Sequence, residues 1–411
     1  MAEAFDYDVA IIGGGPAGSS TALHLVRREG VRPHRIVILD KAKFPRDKPC
    51  AGAVSQLGID VLGAIGIDVT VPSLAMKGVR ILSGGLVGET AEPMGVVVRR
   101  VEFDAQLLGT ARTDGVHVRD GEGLRAIARR AQEGFDLTTT LGRTVTARFV
   151  AAADGAGSTT RKLLGIREAD RKGHLYVLET DVGPQDAGVT RGLVDFDFSI
   201  VEDGLEGYYW DFPTPLGGTL QVSRGIYHAN LVRPDAPSGE TVKDVLRRSL
   251  ARRGIDITKV KLRPFSTRPF VAKSTTWVRG VVLVGEACGI DQTTGEGIAQ
   301  AIEMGRIAAR HLAVAFATRH PGFRDYERAV RTSTMGKHLL QSAWVARHAY
   351  GRYGQPARRF LLRSHEARVA AMRWYRGEDL SVFTQLRLGL AFAASLLVPR
   401  TMTKALPAAN T

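Results

Sequence analysis

The apolar run Tyr7-Asp8-Val9-Ala10-Ile11-Ile12, followed at once by Gly13-Gly14-Gly15-Pro16-Ala17-Gly18, constrains the fold more than any other feature of the chain. A short, mostly apolar run that ends at glycines reads as a buried parallel strand. Ala17 to Arg28 begins with small residues, continues through Leu23, Leu25 and Val26, and stops before Gly30, which predicts a helix. Ile36-Val37-Ile38-Leu39-Asp40 is a second buried strand, so the segment is one βαβ unit. In Gly13-x-Gly15-x-x-Gly18 the first glycine permits the tight turn, the second lets a pyrophosphate approach the backbone, and the third lets helix and strand pack closely. Pro16 and Ala17 open the helix, whose free N–H groups and partial positive charge favour a diphosphate. Asp40, at the end of the second strand with Lys41 beside it, is placed to accept hydrogen bonds from a ribose. A glycine turn with no nucleotide is the plain alternative. The strand before it, the helix after it and the acid at the next strand end weigh against that.

Val79 to Val98 alternates and is glycine-rich, predicting strands; Phe103 to Ala111 predicts a helix; Phe135 to Val150 predicts strands and a hairpin. Leu175 to Ile226 reads as an antiparallel sheet. Val281-Val282-Leu283-Val284 reads as another buried parallel strand, followed by a glycine-rich turn and a helix from Gly297 to Phe316. From Pro321 the chain is helical and basic. The expectation is an α/β fold with an α+β second domain. A discontinuous Rossmann-like domain covers 1–75, 99–172 and 271–320; an inserted antiparallel-sheet substrate domain covers 76–98 and 173–270; a C-terminal basic helical region covers 321–411.

NAD and FAD share the glycine turn, and two later segments choose FAD. One is Ala153-Asp154-Gly155-Ala156-Gly157-Ser158-x-x-Arg161; the other is Val284-Gly285-Glu286-Ala287-Cys288-Gly289, continuing through Gly295-Glu296-Gly297-Ile298. Each follows a buried strand. The second leads into a helix whose first N–H groups suit a flavin pyrimidine edge, and Glu286 suits a ribityl hydroxyl. The three segments resemble the dinucleotide turn, the Asp-Gly motif and the Gly-Asp motif of the class A flavoprotein monooxygenase fold, the p-hydroxybenzoate hydroxylase-like fold. Arg100-x-x-Phe103-Asp104-x-x-Leu107 resembles that fold's arginine segment, which implies that Arg100 lies near the FAD. Glu286 stands where the family usually has Asp.

Within that superfamily, Pro45-Arg46-Asp47-Lys48-Pro49-Cys50-Ala51-Gly52 resembles the Pro-Arg-x-Lys-x-Cys-Gly-Gly segment of geranylgeranyl reductases. Tyr208-Tyr209-Trp210-Asp211-Phe212-Pro213 resembles their Tyr-x-Trp-x-Phe-Pro motif, which borders the substrate cavity. The resemblance implies reduction of isolated carbon–carbon double bonds in prenyl chains, with hydride passing from reduced flavin N5 to one alkene carbon. The other carbon needs a proton. Cys50 could supply it or orient the substrate, since a thiol of pKa ~8.5 exchanges protons near neutrality; a small buried side chain is the alternative. Tyr208 and Trp210 share one strand face, so both line a cavity or both pack in a core. Arg46 and Lys48 bind phosphate or are solvated. Ala51 and the Gln221–Gly225 stretch depart from the family pattern, and Arg224 is expected to put a charge at the cavity.

The formal charge of +14 attracts polyanions, but no nucleic-acid motif accompanies it. Leu386 to Val398 is apolar but shorter than the ~20 residues that span a bilayer, so it packs on the core or lies in a membrane interface. The two cysteines, Cys50 and Cys288, suit a reducing cytosol. No secretory signal and no metal-ligand spacing are evident. The expected setting is cytoplasmic, with or without peripheral contact to a membrane. A single dinucleotide turn implies that electrons come from transiently bound NAD(P)H, a reduced carrier protein or a flavin reductase. The expected function is reduction of an isoprenoid or similar apolar small molecule. The alternatives are a flavin monooxygenase (a hydroxylase before a halogenase) working through a flavin hydroperoxide, and a non-catalytic flavoprotein that serves as a binding partner.

Overall fold

The computed structural model describes residues 5–167, 172–231, 241–350 and 354–397. Val398, the end of the apolar segment, lies outside the described residues, as do the rest of the tail to Thr411 and the residues between these spans.

Tyr7–Ile12 is buried at every position. Two-sided burial is why its sequence is mostly apolar instead of alternating. Its single charge, Asp8, is held by Arg35 at 2.8 Å. The strand pairs in parallel with Ile36–Asp40 on one side and Thr144–Ala152 on the other. Val281–Leu283 and His117–Asp120 extend the parallel sheet outward. Leu124–Arg129 and Phe135–Thr139 form an antiparallel extension off Thr144–Ala152. The helix Pro16–Arg27 lies between the first two strands in sequence and packs beside the long helix Ile298–Thr318. The α/β class and the C-terminal helices agree with the sequence reading.

A second sheet of seven strands runs in the order Arg263–Thr267, Gly173–Asp181, Thr219–His228, Gly207–Leu216, Leu193–Asp197, Gly78–Ser83, Leu86–Thr90. It is antiparallel except between Leu193–Asp197 and Gly78–Ser83, which run parallel. These two are far apart in sequence, so no hairpin dictates their direction. Gly95–Val98 joins Ala53–Ser55 and Ser73–Met76 in a small third sheet.

The pleat of Gly207–Leu216 sorts its side chains. Tyr208, Trp210 and Phe212 join a core cluster with Tyr227 on one face, while Tyr209 joins a separate cluster with Ile226 on the other. The C-terminal helices Thr334–Ala349, Gly354–Arg363 and His365–Tyr375 add Ala346, Leu362 and Met372 to the first cluster. Val382–Leu397 follows as a final helix.

Candidate active site

The carboxyl ends of Tyr7–Ile12, Thr144–Ala152 and Val281–Leu283 open onto one cavity of about 610 Å³, where open α/β sheets bind ligands. Its far side is the aromatic face of the second sheet.

Gly13 has φ +107°, and a Cβ there would fall 2.4 Å from the Ala153 carbonyl oxygen. A Cβ on Gly18 would fall 1.9 Å from the Gly13 carbonyl oxygen. Both glycines are required by the backbone itself, and Gly18 lies behind the turn, not on the cavity. Gly15 is different: a Cβ there would first meet the Arg46 guanidinium, at 3.2 Å, on the open side. The helix behind it begins at Pro16 and Ala17 with no acidic residue in its first turn, so its positive end faces the cavity uncompensated. Arg46 pairs through Nη2 with Asp104 at 2.9 Å, and its Nη1 is buried with no hydrogen-bond partner. Leaving such a donor unsatisfied costs about 1–3 kcal/mol, and a diphosphate oxygen would remove that cost. The glycine cradle, the helix end and this guanidinium therefore fit the diphosphate of FAD.

Asp40 Oδ2 accepts from the Gly14 N–H at 2.7 Å and Oδ1 from the Ala42 N–H at 2.8 Å, so the acid fixes the turn while lining the cavity beside Lys41. Asp154 and Gly155 also line it. The Asp154 carboxylate, however, is engaged by the Ser158 hydroxyl and by the N–H and hydroxyl of Thr160, beside the short helix Thr159–Leu163 that Ser158 caps. Gly295, Gly297 and Ile298 line the opposite end. Gly285 packs beneath the floor, where a Cβ would come 2.7 Å from the Ala17 Cβ. Glu286 lines the cavity and accepts from Lys48 Nζ at 3.1 Å, and that ammonium also sits 4.6 Å from the Phe265 ring centre.

Arg100 makes a two-pronged pair with Asp104, both bonds at 2.7 Å. Burial works against its charge, but Asp104 and then Cys50 outweigh burial and keep it protonated. Cys50 Sγ accepts from the Gly52 N–H at 3.4 Å and faces the cavity. Its loop is tied on three sides: Arg46 to Asp104, Asp47 to Arg263 of the second sheet at 2.5 Å, and Lys48 to Glu286. Cys288 instead is a buried packing residue whose thiol burial pushes up to about 12.

Tyr208 and Trp210 stand with ring centres 6.2 Å apart on the cavity's far wall, next to Phe212 and Tyr227. The Tyr208 hydroxyl donates to the Thr294 carbonyl oxygen. Burial, reinforced by Tyr350, raises its pKa well above 10 and keeps it a phenol. Trp210 Nε1 is buried without a partner. Arg224 does not face this cavity, contrary to the sequence expectation. It lies on the other face of the sheet, fully buried, paired with Asp186 at 2.6 Å and Asp211 at 2.5 Å. Its neighbour Gly225 occupies the cavity face, where a Cβ would come 2.2 Å from the Trp210 ring. The position against the tryptophan is therefore small after all, and the cavity wall stays apolar.

Sequence reasoning passed over Glu296, Asp291 and Tyr375. Glu296 lines the cavity at 7% exposure, and burial pushes its carboxyl up to about 8, although the Ala299 N–H donates to it at 3.0 Å. It is therefore neutral and proton-bearing at pH 7. Burial likewise raises Asp291 to about 6. Tyr375 reaches the same cavity from the helix His365–Tyr375. Behind Glu296 lies a space of about 20 Å³ walled by Asp291, His338, Trp374 and Tyr375, room for about one water. Glu296 stood in the quoted Gly-Glu-Gly run, where a carboxylate at a helix start was the available signal; Tyr375 carries no local signal at all.

Residues 6–322 match the family model for the FAD binding domain. The chain belongs to the FAD-binding domain family and is an FAD-dependent oxidoreductase by family. It is 27% identical over 333 residues to menaquinone reductase of Mycobacterium tuberculosis, covering 74% of this chain and 76% of that one. It is 26% identical over 377 residues to digeranylgeranylglycerophospholipid reductase of Thermoplasma volcanium, covering 83% of this chain and 87% of the relative. The fold matches a geranylgeranyl bacteriochlorophyll reductase-like protein of Thermoplasma acidophilum with TM-score 0.68 and 21% identity, over 93% of this chain and 95% of that structure.

Proposed function

We propose that this protein is a reductase that saturates a carbon–carbon double bond of an isoprenoid or similar apolar molecule. The observation that carries the reading is one cavity in which the apolar wall of Tyr208, Trp210 and Phe212 faces the thiol of Cys50 and the neutral carboxyl of Glu296. The relatives named as reductases of isoprenoid-bearing molecules support it. Bound reduced FAD supplies the hydride. The chain's own residues do the rest. Gly13, Gly15, the helix opening at Pro16 and Ala17, and Arg46 hold the diphosphate. Asp40 and Lys41 serve the ribose end, and Glu286 with Gly295, Gly297 and Ile298 the flavin end. Tyr208 and Trp210 flank the alkene and exclude water. Cys50 Sγ gives its proton to the second alkene carbon, so that two hydrogens are added in all. Arg100 steadies the thiolate left behind. Glu296 holds the proton that restores the thiol. The electrons that reduce the FAD come from NAD(P)H or a reduced carrier protein.

The test is anaerobic incubation of the reduced holoprotein with a polyprenyl quinone or a geranylgeranyl lipid. A product heavier by the mass of two hydrogens is the expected result. Substrate-stimulated oxygen uptake with incorporation of one oxygen atom would instead make the protein a hydroxylase and overturn the reading.

A further inference from the structure

The last described helix, Val382–Leu397, is seated on the protein by one stripe only. Thr384, Leu388 and Phe392, spaced four apart, are half-buried, and Phe392 meets Phe360 with ring centres 5.6 Å apart. The other positions through Leu396 face outward. Val382, Phe383, Leu386 and Leu390 are 69, 86, 60 and 73% exposed. The helix contains no Asp or Glu, and its one charge, Arg387, is turned to Glu366. A contiguous apolar face of this kind marks an interaction surface.

The charge around it selects the occupant. Residues 334–397 carry ten Lys and Arg (337, 347, 352, 358, 359, 363, 368, 373, 376, 387) against three acids, Glu366, Glu378 and Asp379. Arg359 and Arg363 are exposed on Gly354–Arg363, the helix against which Val382–Leu397 packs. A second copy of the chain would bring these exposed arginines against their own counterparts. An anionic bilayer surface would complement it, taking the apolar face into its headgroup boundary and the arginines onto its phosphates. Sixteen residues of helix reach about 24 Å, less than the ~30 Å hydrocarbon core, and no helix among the described residues is long and apolar enough to cross a membrane. The helix would therefore lie in the surface plane.

We propose that Val382–Leu397 docks the protein onto an anionic lipid surface. The inference stands on exposure and charge and is independent of the reaction assigned above. The C-terminal helices link the two places, because Leu362 and Met372 belong to the same cluster as Tyr208 and Trp210.

The experiment is co-sedimentation of the full FAD-loaded chain with vesicles of phosphatidylcholine alone and of phosphatidylcholine containing about a quarter phosphatidylglycerol. The expected result is binding to the anionic vesicles, about tenfold weaker to neutral ones and weakened by raising salt several-fold. Phe383→Glu with Leu386→Glu and Leu390→Glu should lower binding tenfold or more, with an unchanged flavin spectrum and Tm because these side chains touch little. Arg359→Glu with Arg363→Glu should lower binding to the anionic vesicles only. Undiminished binding of the triple variant would overturn the proposal. So would no vesicle binding at all. A dimer in light scattering that the triple variant abolishes, without vesicle binding, would assign the face to a second copy and likewise overturn it. Deleting residues 398–411 should leave binding intact; a gain of vesicle binding only after that deletion would mean that the tail is the occupant, and would also overturn it.

Discussion

Replacing Glu296 by glutamine tests whether the cavity really stores a proton. The carboxyl is pushed from its ordinary 4.5 to about 8 in the folded chain, with burial as the main cause and Asp291 adding to it. Below pH 4.5 it is protonated whether the chain is folded or not, and it costs nothing. Between pH 4.5 and about 8 only the unfolded chain releases the proton, so folding loses roughly 1.4 kcal/mol per pH unit. The loss reaches about 3 kcal/mol at pH 7 and about 5 kcal/mol above pH 8. Glutamine is neutral throughout and nearly the same shape. Glu296→Gln should therefore match the parent at pH 5 and exceed its stability by several kcal/mol at pH 9. Urea unfolding of both proteins with saturating FAD at pH 5, 7 and 9 reads this directly. Asp195, raised by burial to about 7, titrates in the same window in both proteins and cancels in the difference, which reads Glu296 together with its coupling to Asp291. Turnover should move the opposite way. The parent loses activity as pH rises through about 8, whereas the variant is slower and does not follow that titration. Parallel stability curves for the two proteins would refute the raised carboxyl and with it the proton store.

Other substitutions separate the cradle, the wall and the frame. Arg46→Ala should weaken FAD binding about 10–100-fold in a fluorescence titration, the worth of one or two charge-assisted hydrogen bonds; unchanged affinity would remove Arg46 from the diphosphate. Arg224→Ala takes from the buried Asp186 its arginine partner, while Asp211 keeps Arg253 at 2.7 Å, and should cost about 3–5 kcal/mol in urea unfolding, while the KM of the folded fraction stays constant. Gly225→Ala drives a methyl into the Trp210 ring and should cost about 1–3 kcal/mol and raise the substrate KM; an unchanged KM would mean that Trp210 does not border the substrate. Cys50→Ala should lower kcat about 10²–10³-fold, in the range of a positioned proton donor, without altering FAD affinity; unaltered turnover would assign the proton to another group.

The sequence was most legible where one local pattern is sufficient. Strand, glycine turn, helix and terminal acid fall within residues 7–40, and Gly13 and Gly18 there answer to close backbone contacts. The shared face of Tyr208 and Trp210 was readable for the same reason, since a strand's period fixes its faces. Arg224 was misread because a resemblance aligned by residue order does not say which face a neighbour takes; one step along the strand exchanges Arg224 for Gly225. Glu296 was hidden in plain view, because its unusual proton affinity comes from what buries it and not from the residues beside it. Tyr375 enters from a helix more than three hundred residues beyond Cys50, and nothing local announces such a meeting.

The loop that carries Cys50 has a mechanical consequence. Its three ionic ties run to three separate bodies: the helix Arg100–Thr113, the second sheet, and the turn after Val281–Leu283. A thiol suspended in this way takes its coordinates from the distances between those bodies rather than from a socket of its own. If the sheets part or rock, the tethers carry the motion to the sulfur. Cys50 is thus the point of the molecule at which a change of layer spacing becomes a change of reach, and a thiol-reactive probe at that residue would act as a gauge of how the two sheets sit.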